Sequence, residues 1–309
     1  MQPLLGIALK IASALAFTLM SAGVKLVAER YPIGEVVFFR SAFALVPLLA
    51  WLSWRGALIN AVRTDDLKGH LLRGIISTSG MFAGFIALSY LPLSDAVAIG
   101  YASPLITVVL AALILKETVR AYRWSAVVVG FVGVIIMLLP HLNGSIVAQG
   151  LAGGAGVGAL FALFAACCSA GATIQIRRLM VRERTGAIVF YFSLLTTFMG
   201  LMTIVLGWRM PDLADAVLLV VIGILGGIGQ ILLTLSYRHA DTSVIAPFEY
   251  TTMLWAVLIG WFAFSQLPQA TVVAGGLIVA AAGCFVLWRE RQLGLQRAKE
   301  VEVGAQRHA

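Results

Sequence analysis

The chain has 309 residues, of which 61% are hydrophobic and only 12% charged, and its mean hydropathy is +0.97. A soluble domain carries about 25% charge, so a water-exposed globular fold is excluded and lipid must solvate most of the surface. The net charge of +8 sits in short clusters between apolar runs. That pattern anchors membrane loops rather than forming a nucleic-acid patch, so no nucleic-acid partner is expected.

Ten apolar spans are predicted, at 4–26, 33–54, 71–90, 94–115, 123–140, 151–176, 186–207, 215–237, 242–265 and 270–288. The expected fold class is an all-α membrane protein with the lipid bilayer as its solvent. The first run begins at Leu4 without a basic n-region, and it is too long for a signal peptide; it reads as a retained span. Lys10 lies within it. Arg40 stands seven residues into span 2, roughly 10 Å below the membrane surface. A charge at that depth costs roughly 3 kcal/mol on insertion scales, so Arg40 should face the bundle interior. It can bind a substrate carboxylate or phosphate, or clamp helices as a structural ion pair, and both readings stay open.

Residues 88–117 read LSYLPLSDAVAIGYASPLITVVLAALILKE: a helix end, a turn broken by Pro92, and a second span carrying Tyr101, Ser103 and Pro104. Asp95 is expected to N-cap that span. Span 6 carries Gly150, Gly154 and Gly158 at small-xxx-small spacing, which predicts close helix packing. The run GGAGVG has no preceding strand and is no dinucleotide fingerprint, and without a Walker A sequence ATP is not the expected energy source. Cys167, Cys168 and Cys284 lie in apolar runs without ligand spacing and are read as buried, inert thiols. No metal and no cofactor are expected. Gln230 lies in span 8.

The Leu-Ser-Tyr stretch recurs from Leu235, in LSYRHADTSVIAPFEYTTMLWAVLIGWFAFSQ. Asp241 is expected to cap span 9, and Pro247, Glu249, Tyr250 and Trp255 fall inside it. Pro104 and Pro247 each remove a backbone hydrogen bond and can act as gating kinks. An intramembrane carboxylate defaults to a site, so Glu249 can couple proton movement or bind a substrate amine; an ion pair of Lys10 with Glu249 is the plainer alternative. Tyr101, Ser103, Gln230, Tyr250 and Trp255 can line a pathway for a flat or aromatic solute, though packing explains each one singly. Asp65 and Asp66 are read as loop solvation, and Tyr90 and Tyr237 as interfacial belt residues.

Five spans stand on either side of a boundary near Asn143–Gln149, with Gly133 in span 5 answering Gly283 in span 10. The domains are therefore 1–147, a first five-helix repeat; 148–290, a second, inverted one; and 291–309, a tail whose RERQLGLQRAKE segment can lie on anionic lipid. Lys and Arg concentrate in the loops on one side (Arg55, Arg63, Lys68, Arg73; Lys116, Arg120, Arg123; Arg177, Arg178, Arg182, Arg184), with only Lys25, Arg30 and Arg209 opposite. That bias places both termini in the cytoplasm.

Together, Arg40 in EVVFFRSAFALVPLL, the hairpin ending in LKE at Glu117, APFEYTTMLWAVLIGW and the glycine-rich spans 5 and 10 resemble the drug/metabolite transporter superfamily. Specifically, they resemble its ten-span branch with two EamA-type repeats. One departure is Gln266, where the second repeat usually ends span 9 with Glu. The resemblance implies a secondary transporter, not an enzyme, carrying a small organic solute across the inner membrane of a bacterium by alternating access. Amino acids, nucleosides, riboflavin, S-adenosylmethionine and drugs all occur as substrates in that superfamily. From side-chain type, an aromatic lining with one buried cation and one buried anion suits a zwitterion or a planar heterocycle, so amino acids, aromatic ones especially, and cofactor-like solutes such as riboflavin or S-adenosylmethionine are ranked above sugars. The rival reading is a multispan enzyme acting on a lipid-linked substrate, but no Asp, His or Glu cluster at a membrane face favours it.

Overall fold

The computed structural model describes residues 3–56, 58–59, 63–114, 116, 121–149, 154–180, 182–240 and 245–307. Among these every regular element is helical. Ten helices form a bundle: α1 (Pro3–Val27), α2 (Ile33–Trp54), α3 (Leu67–Tyr90), α4 in two pieces (Leu93–Gly100 and Ala102–Ile114), α5 (Ala121–Gln149), α6 (Ala155–Leu179), α7 (Thr185–Met202), α8 (Leu213–His239), α9 (Thr251–Phe264, preceded by the 3-10 turn Ala246–Tyr250) and α10 (Ala270–Arg307). Eight are long and apolar enough to cross a bilayer, and Phe248–Phe264 and Ala270–Val286 are shorter apolar helices. Helices suit this solvent because each satisfies its own backbone hydrogen bonds, which lipid cannot do. Large apolar side chains such as Leu113, Val128, Phe164 and Phe262 point outward, as expected where the surroundings are as apolar as the core.

The chain alternates direction through the bundle. The face where α1 begins is the N-face, and the opposite one is the far face. Packing pairs helices across the two halves of the sequence: α1 lies along α8, α3 along α6, α5 along α10, and α2 against α7 and α8. Glycines let the backbones meet. A Cβ at Gly133 would stand 2.7 Å from the Gly275 carbonyl, and one at Gly275 would crowd the Gly133 carbonyl still more closely. Span 5 therefore crosses span 10 at Gly275. Gly283 leaves room for the Tyr250 hydroxyl, which a Cβ there would displace.

Several polar residues take roles other than those expected. The α4 helix starts at Leu93 with Pro92 as its cap, so Asp95 is no N-cap. It sits fully buried in the first turn and accepts from the Ser94 hydroxyl at 3.2 Å. Asp66 does cap a helix, accepting from Gly69 N at 2.9 Å at the start of α3, rather than merely solvating a loop. Asp212 does the same for α8 through Asp215 N at 2.7 Å. Lys25 is in the last turn of α1 and donates to the Leu88 and Leu91 carbonyls at 3.0 and 2.5 Å, where the C-terminal dipole of α3 favours a cation. Arg73 is buried, not in a loop; it donates to the Ile188 carbonyl and lies 4.9 Å over the Phe192 ring.

Cys167 and Cys284 are exposed on the outer surface and Cys168 is half-buried, all free thiols; burial was the wrong expectation because lipid accepts an apolar thiol as readily as the core does. Of the expected glycine ridge, Gly158 packs on Tyr90 and Leu91, while Gly154 precedes α6 with φ 140°, a backbone conformation suited to glycine. The α10 helix continues through the tail to Arg307. Gly150, Glu117 and Asp241 lie outside the described residues.

Candidate functional site

The walls of the main cavity come from α1, α2, α3, α4 and α6. It measures about 380 Å³ and is lined by Met20, Arg40, Met81 and Phe85, by the hydroxyl residues Ser77 and Ser169, and by small residues including Gly80, Gly84, Gly100, Ala162 and Ala166. That volume is at the lower end of small-molecule pockets. Small side chains open it: where α3 and α6 run together, Gly and Ala leave space that larger residues would fill.

Arg40 is the charged residue of this lining. The α2 helix packs against α8, and Gly226 of α8 lies flush with the guanidinium: a Cβ there would be 3.2 Å from Arg40 Nε and 3.0 Å from Met20 Sδ. Arg40 is 6% exposed, its Nε has no hydrogen-bond partner, and no ion pair forms to it among the described residues. Such a cation is expensive unless something anionic joins it. On its other side, Arg40 shares a narrow void of about 10 Å³ with Ser193 and Gln230.

The remaining sequence candidates gather elsewhere. Tyr101 ends the first piece of α4; its hydroxyl hydrogen-bonds Thr252 Oγ1 and reaches the Tyr250 carbonyl at 3.4 Å. The Tyr101 and Tyr250 rings meet edge to face with centroids 5.1 Å apart. Beside them Lys10 Nζ lies 3.6 Å from Glu249 Oε2, the lysine side chain 7% exposed and the carboxylate 54%. Ser103 contributes its carbonyl to Thr107 Oγ1 at 2.8 Å, and Trp255 Nε1 has no hydrogen-bond partner. None of Tyr101, Ser103, Glu249, Tyr250 and Trp255 lines the main cavity. The lining is thioether, phenyl and small-residue rather than phenolic or indole.

The two prolines differ. Pro104 offers no N–H to the Gly100 carbonyl, and its ring crowds that carbonyl; the α4 helix breaks at Tyr101 between its two pieces. Pro247 stands in the first turn of its 3-10 segment, where a missing N–H costs little, so it begins the span and does not kink it. Gln266 bonds through its backbone, N to the Gly260 carbonyl at 2.9 Å, after Ser265 at φ 53° ends α9.

Polar contacts at the two faces were not legible as sites. At the far face Asp215 Oδ2 takes Arg30 Nη1 at 2.7 Å and the Tyr31 hydroxyl at 2.9 Å, while buried Glu35 accepts from Arg209 N at 3.1 Å. At the N-face Glu183 accepts from Thr64 Oγ1, Asp65 N and Asp66 N at 2.7, 2.8 and 3.0 Å, with His70 Nε2 3.6 Å away. A sequence signal existed only as charge near span ends. No group of His, Cys, Asp or Glu suited to a metal ion occurs among the described residues.

The profile of the EamA-like transporter family matches residues 4–139. The pseudopaline exporter CntI of Pseudomonas aeruginosa is 31% identical over 289 residues, covering 93% of this chain and 97% of that protein. The chain belongs to the EamA-like family of the drug/metabolite transporter superfamily. Other relatives within the family are the S-adenosylmethionine uptake transporter of Rickettsia prowazekii, 29% identical over 84% of each chain, and the riboflavin transporter of Vibrio cholerae, 26% identical over 96% of this chain and 97% of its own. A solved crystal structure superposes with a TM-score of 0.65 over 93% of this chain and 98% of its own at 17% identity, which shows the shared fold. These EamA-like relatives are transporters, and the chain is a multi-pass membrane protein of their kind.

Proposed function

We propose that the protein is a secondary transporter of a small, carboxylate-bearing organic metabolite and that Arg40 is the anchor for the carboxylate. The observation that carries this reading is a buried guanidinium, without an acidic partner among the described residues, on the wall of a cavity of about 380 Å³. A bound carboxylate supplies the missing counter-charge, and the planar fork of arginine suits it in a two-pronged contact. The relatives that act on small metabolites, named for S-adenosylmethionine, riboflavin and pseudopaline, support carriage of that class of solute rather than chemistry on a lipid.

Movement by alternating access rests on reading residues 1–147 and 148–290 as inverted repeats. Exchanging α1 to α5 for α6 to α10 turns the α1–α8 pairing into α6–α3 and returns the α2–α7, α4–α9 and α5–α10 pairings to themselves, and all of these pairings occur. Two such halves can trade conformations and give inward- and outward-facing states of similar energy. In this reading the Lys and Arg bias makes the N-face cytoplasmic, with both termini there, and the bilayer is the inner membrane of a bacterium.

Counterflow into proteoliposomes is the test. Vesicles preloaded with one solute from a panel of amino acids, flavins, nucleosides and S-adenosylmethionine are assayed for saturable uptake of its labelled form. Arg40→Ala should raise KM for the carried solute by about thirtyfold or more, the effect of removing one partner of a buried charge pair at roughly 2–5 kcal/mol; Arg40→Lys should restore only part. An unchanged KM in a folded Arg40→Ala protein overturns the assignment.

A further inference from the structure

We propose that the break in α4 makes the second half of the binding site: the Gly100 carbonyl receives the substrate's ammonium group, so the carried solute is a zwitterion of the α-amino-acid type. This rests on the Arg40 reading above and deepens it. A site for a zwitterion needs an acceptor as well as a guanidinium. Glu249, the acidic candidate within a span, lies outside the main cavity beside Lys10.

The α4 break provides the acceptor. Residue 104 is proline, so the Gly100 carbonyl lacks its α-helical donor. Tyr101, the residue between the two pieces, keeps helical dihedrals (φ -67°, ψ -5°), so the missing donor is a local gap at one carbonyl in a span that otherwise continues from Leu93 to Ile114. Gly100 lines the cavity that Arg40 lines. It also faces open space: a Cβ built there meets nothing within 4 Å, whereas one at Gly80 would press on Cys168 Cβ at 2.7 Å. Gly80 is held against a neighbouring helix, whereas the space beside Gly100 is open on the cavity side. A backbone carbonyl without its helical donor is tolerated inside a membrane where it lines a cavity, and carbonyls so freed serve there as ligands for cations. Ser77 and Ser169 add hydroxyls to the same wall.

The experiment compares the carried solute with two relatives of the same skeleton, one lacking the amino group and one lacking the carboxylate, as competitors of counterflow by the full-length protein. For phenylalanine these are 3-phenylpropanoate and phenethylamine. The wild type should bind the zwitterion about tenfold to a hundredfold more tightly than the des-amino carboxylate, the range for a hydrogen bond to a charged group. Pro104→Ala, which returns an N–H to the Gly100 carbonyl, should abolish that preference and leave affinity for the des-amino carboxylate unchanged.

Gly100→Val keeps the proline break and places a branched side chain over the carbonyl. It should weaken zwitterion binding with the melting temperature preserved, and so covers the case in which Pro104→Ala misfolds. Equal wild-type affinity for the two carboxylates, or a preference that survives in folded Pro104→Ala or Gly100→Val, overturns the proposal while leaving Arg40 in place. Failure of every carboxylate to compete, with phenethylamine competing, sinks the Arg40 reading instead.

Discussion

At the scale of single residues, two buried charges show how environment decides role. Arg40 stands at a cavity wall without an acidic partner among the described residues, whereas Glu183 is fully engaged. Burial pushes the Glu183 carboxyl up, but donors from Thr64, Asp65 and Asp66 and the nearby His70 together outweigh it and hold the carboxyl below its ordinary value. A depressed folded-state value means that this stabilisation is fully present above the ordinary carboxylate range and is lost as pH falls through the folded-state value. Thermal unfolding in detergent should therefore show a melting temperature that drops below about pH 4. In Glu183→Gln that acid-dependent share should vanish. Equal acid sensitivity in the two proteins would remove Glu183 from the account. Asp65 and Asp66 looked like solvated loop residues because nothing local indicates that Glu183, more than a hundred residues later, accepts from their backbone.

Among the elements, α2 is tightly constrained by α8. Pro47 lies inside it, and Gly227 of α8 fits against that position: a Cβ at Gly227 would be 2.5 Å from Pro47 Cγ and 2.7 Å from the Ala44 carbonyl. Backbone cannot yield there as a flexible side chain can. Gly227→Ala should cost about 1–3 kcal/mol of stability, the range for overpacking, read as a drop in melting temperature. Gly100→Ala, where the added methyl meets nothing within 4 Å, should melt like the wild type. Similar melting temperatures for the two variants would mean that α2 and α8 adjust freely. The sequence marks both glycines alike as small residues in apolar spans. The difference between a packing glycine and a cavity glycine is a fact about neighbouring helices. Pro104 was legible as a break, since proline acts on its own helix, but its consequence for Gly100 depends on which carbonyl meets the cavity.

For the whole molecule, orientation is the property to check. With native cysteines removed, single cysteines at Arg182 and Arg209 should react from opposite sides of the membrane with an impermeant thiol reagent. Arg182 should react only from the cytoplasmic side; the reverse labelling would invert the topology.

Immersion in lipid, the count of ten spans and the one-sided bias of Lys and Arg follow from the sequence alone. They are sums over local hydropathy and charge, and a backbone in lipid has little choice but helix. The break in α4 belongs with them. Which side chains share a cavity was decided only by the tertiary structure. Lipid is as apolar as a core, so hydropathy does not separate inward from outward faces, and the exposed cysteines were misread for that reason. Packing α1 beside α9 and α2 beside α8 put Glu249 with Lys10 and left Arg40 facing the cavity. Depth in spans 1 and 9 offered a Lys10–Glu249 pair only as one of two alternatives, because charge pairing is a property of distance in space that spacing along the chain does not fix.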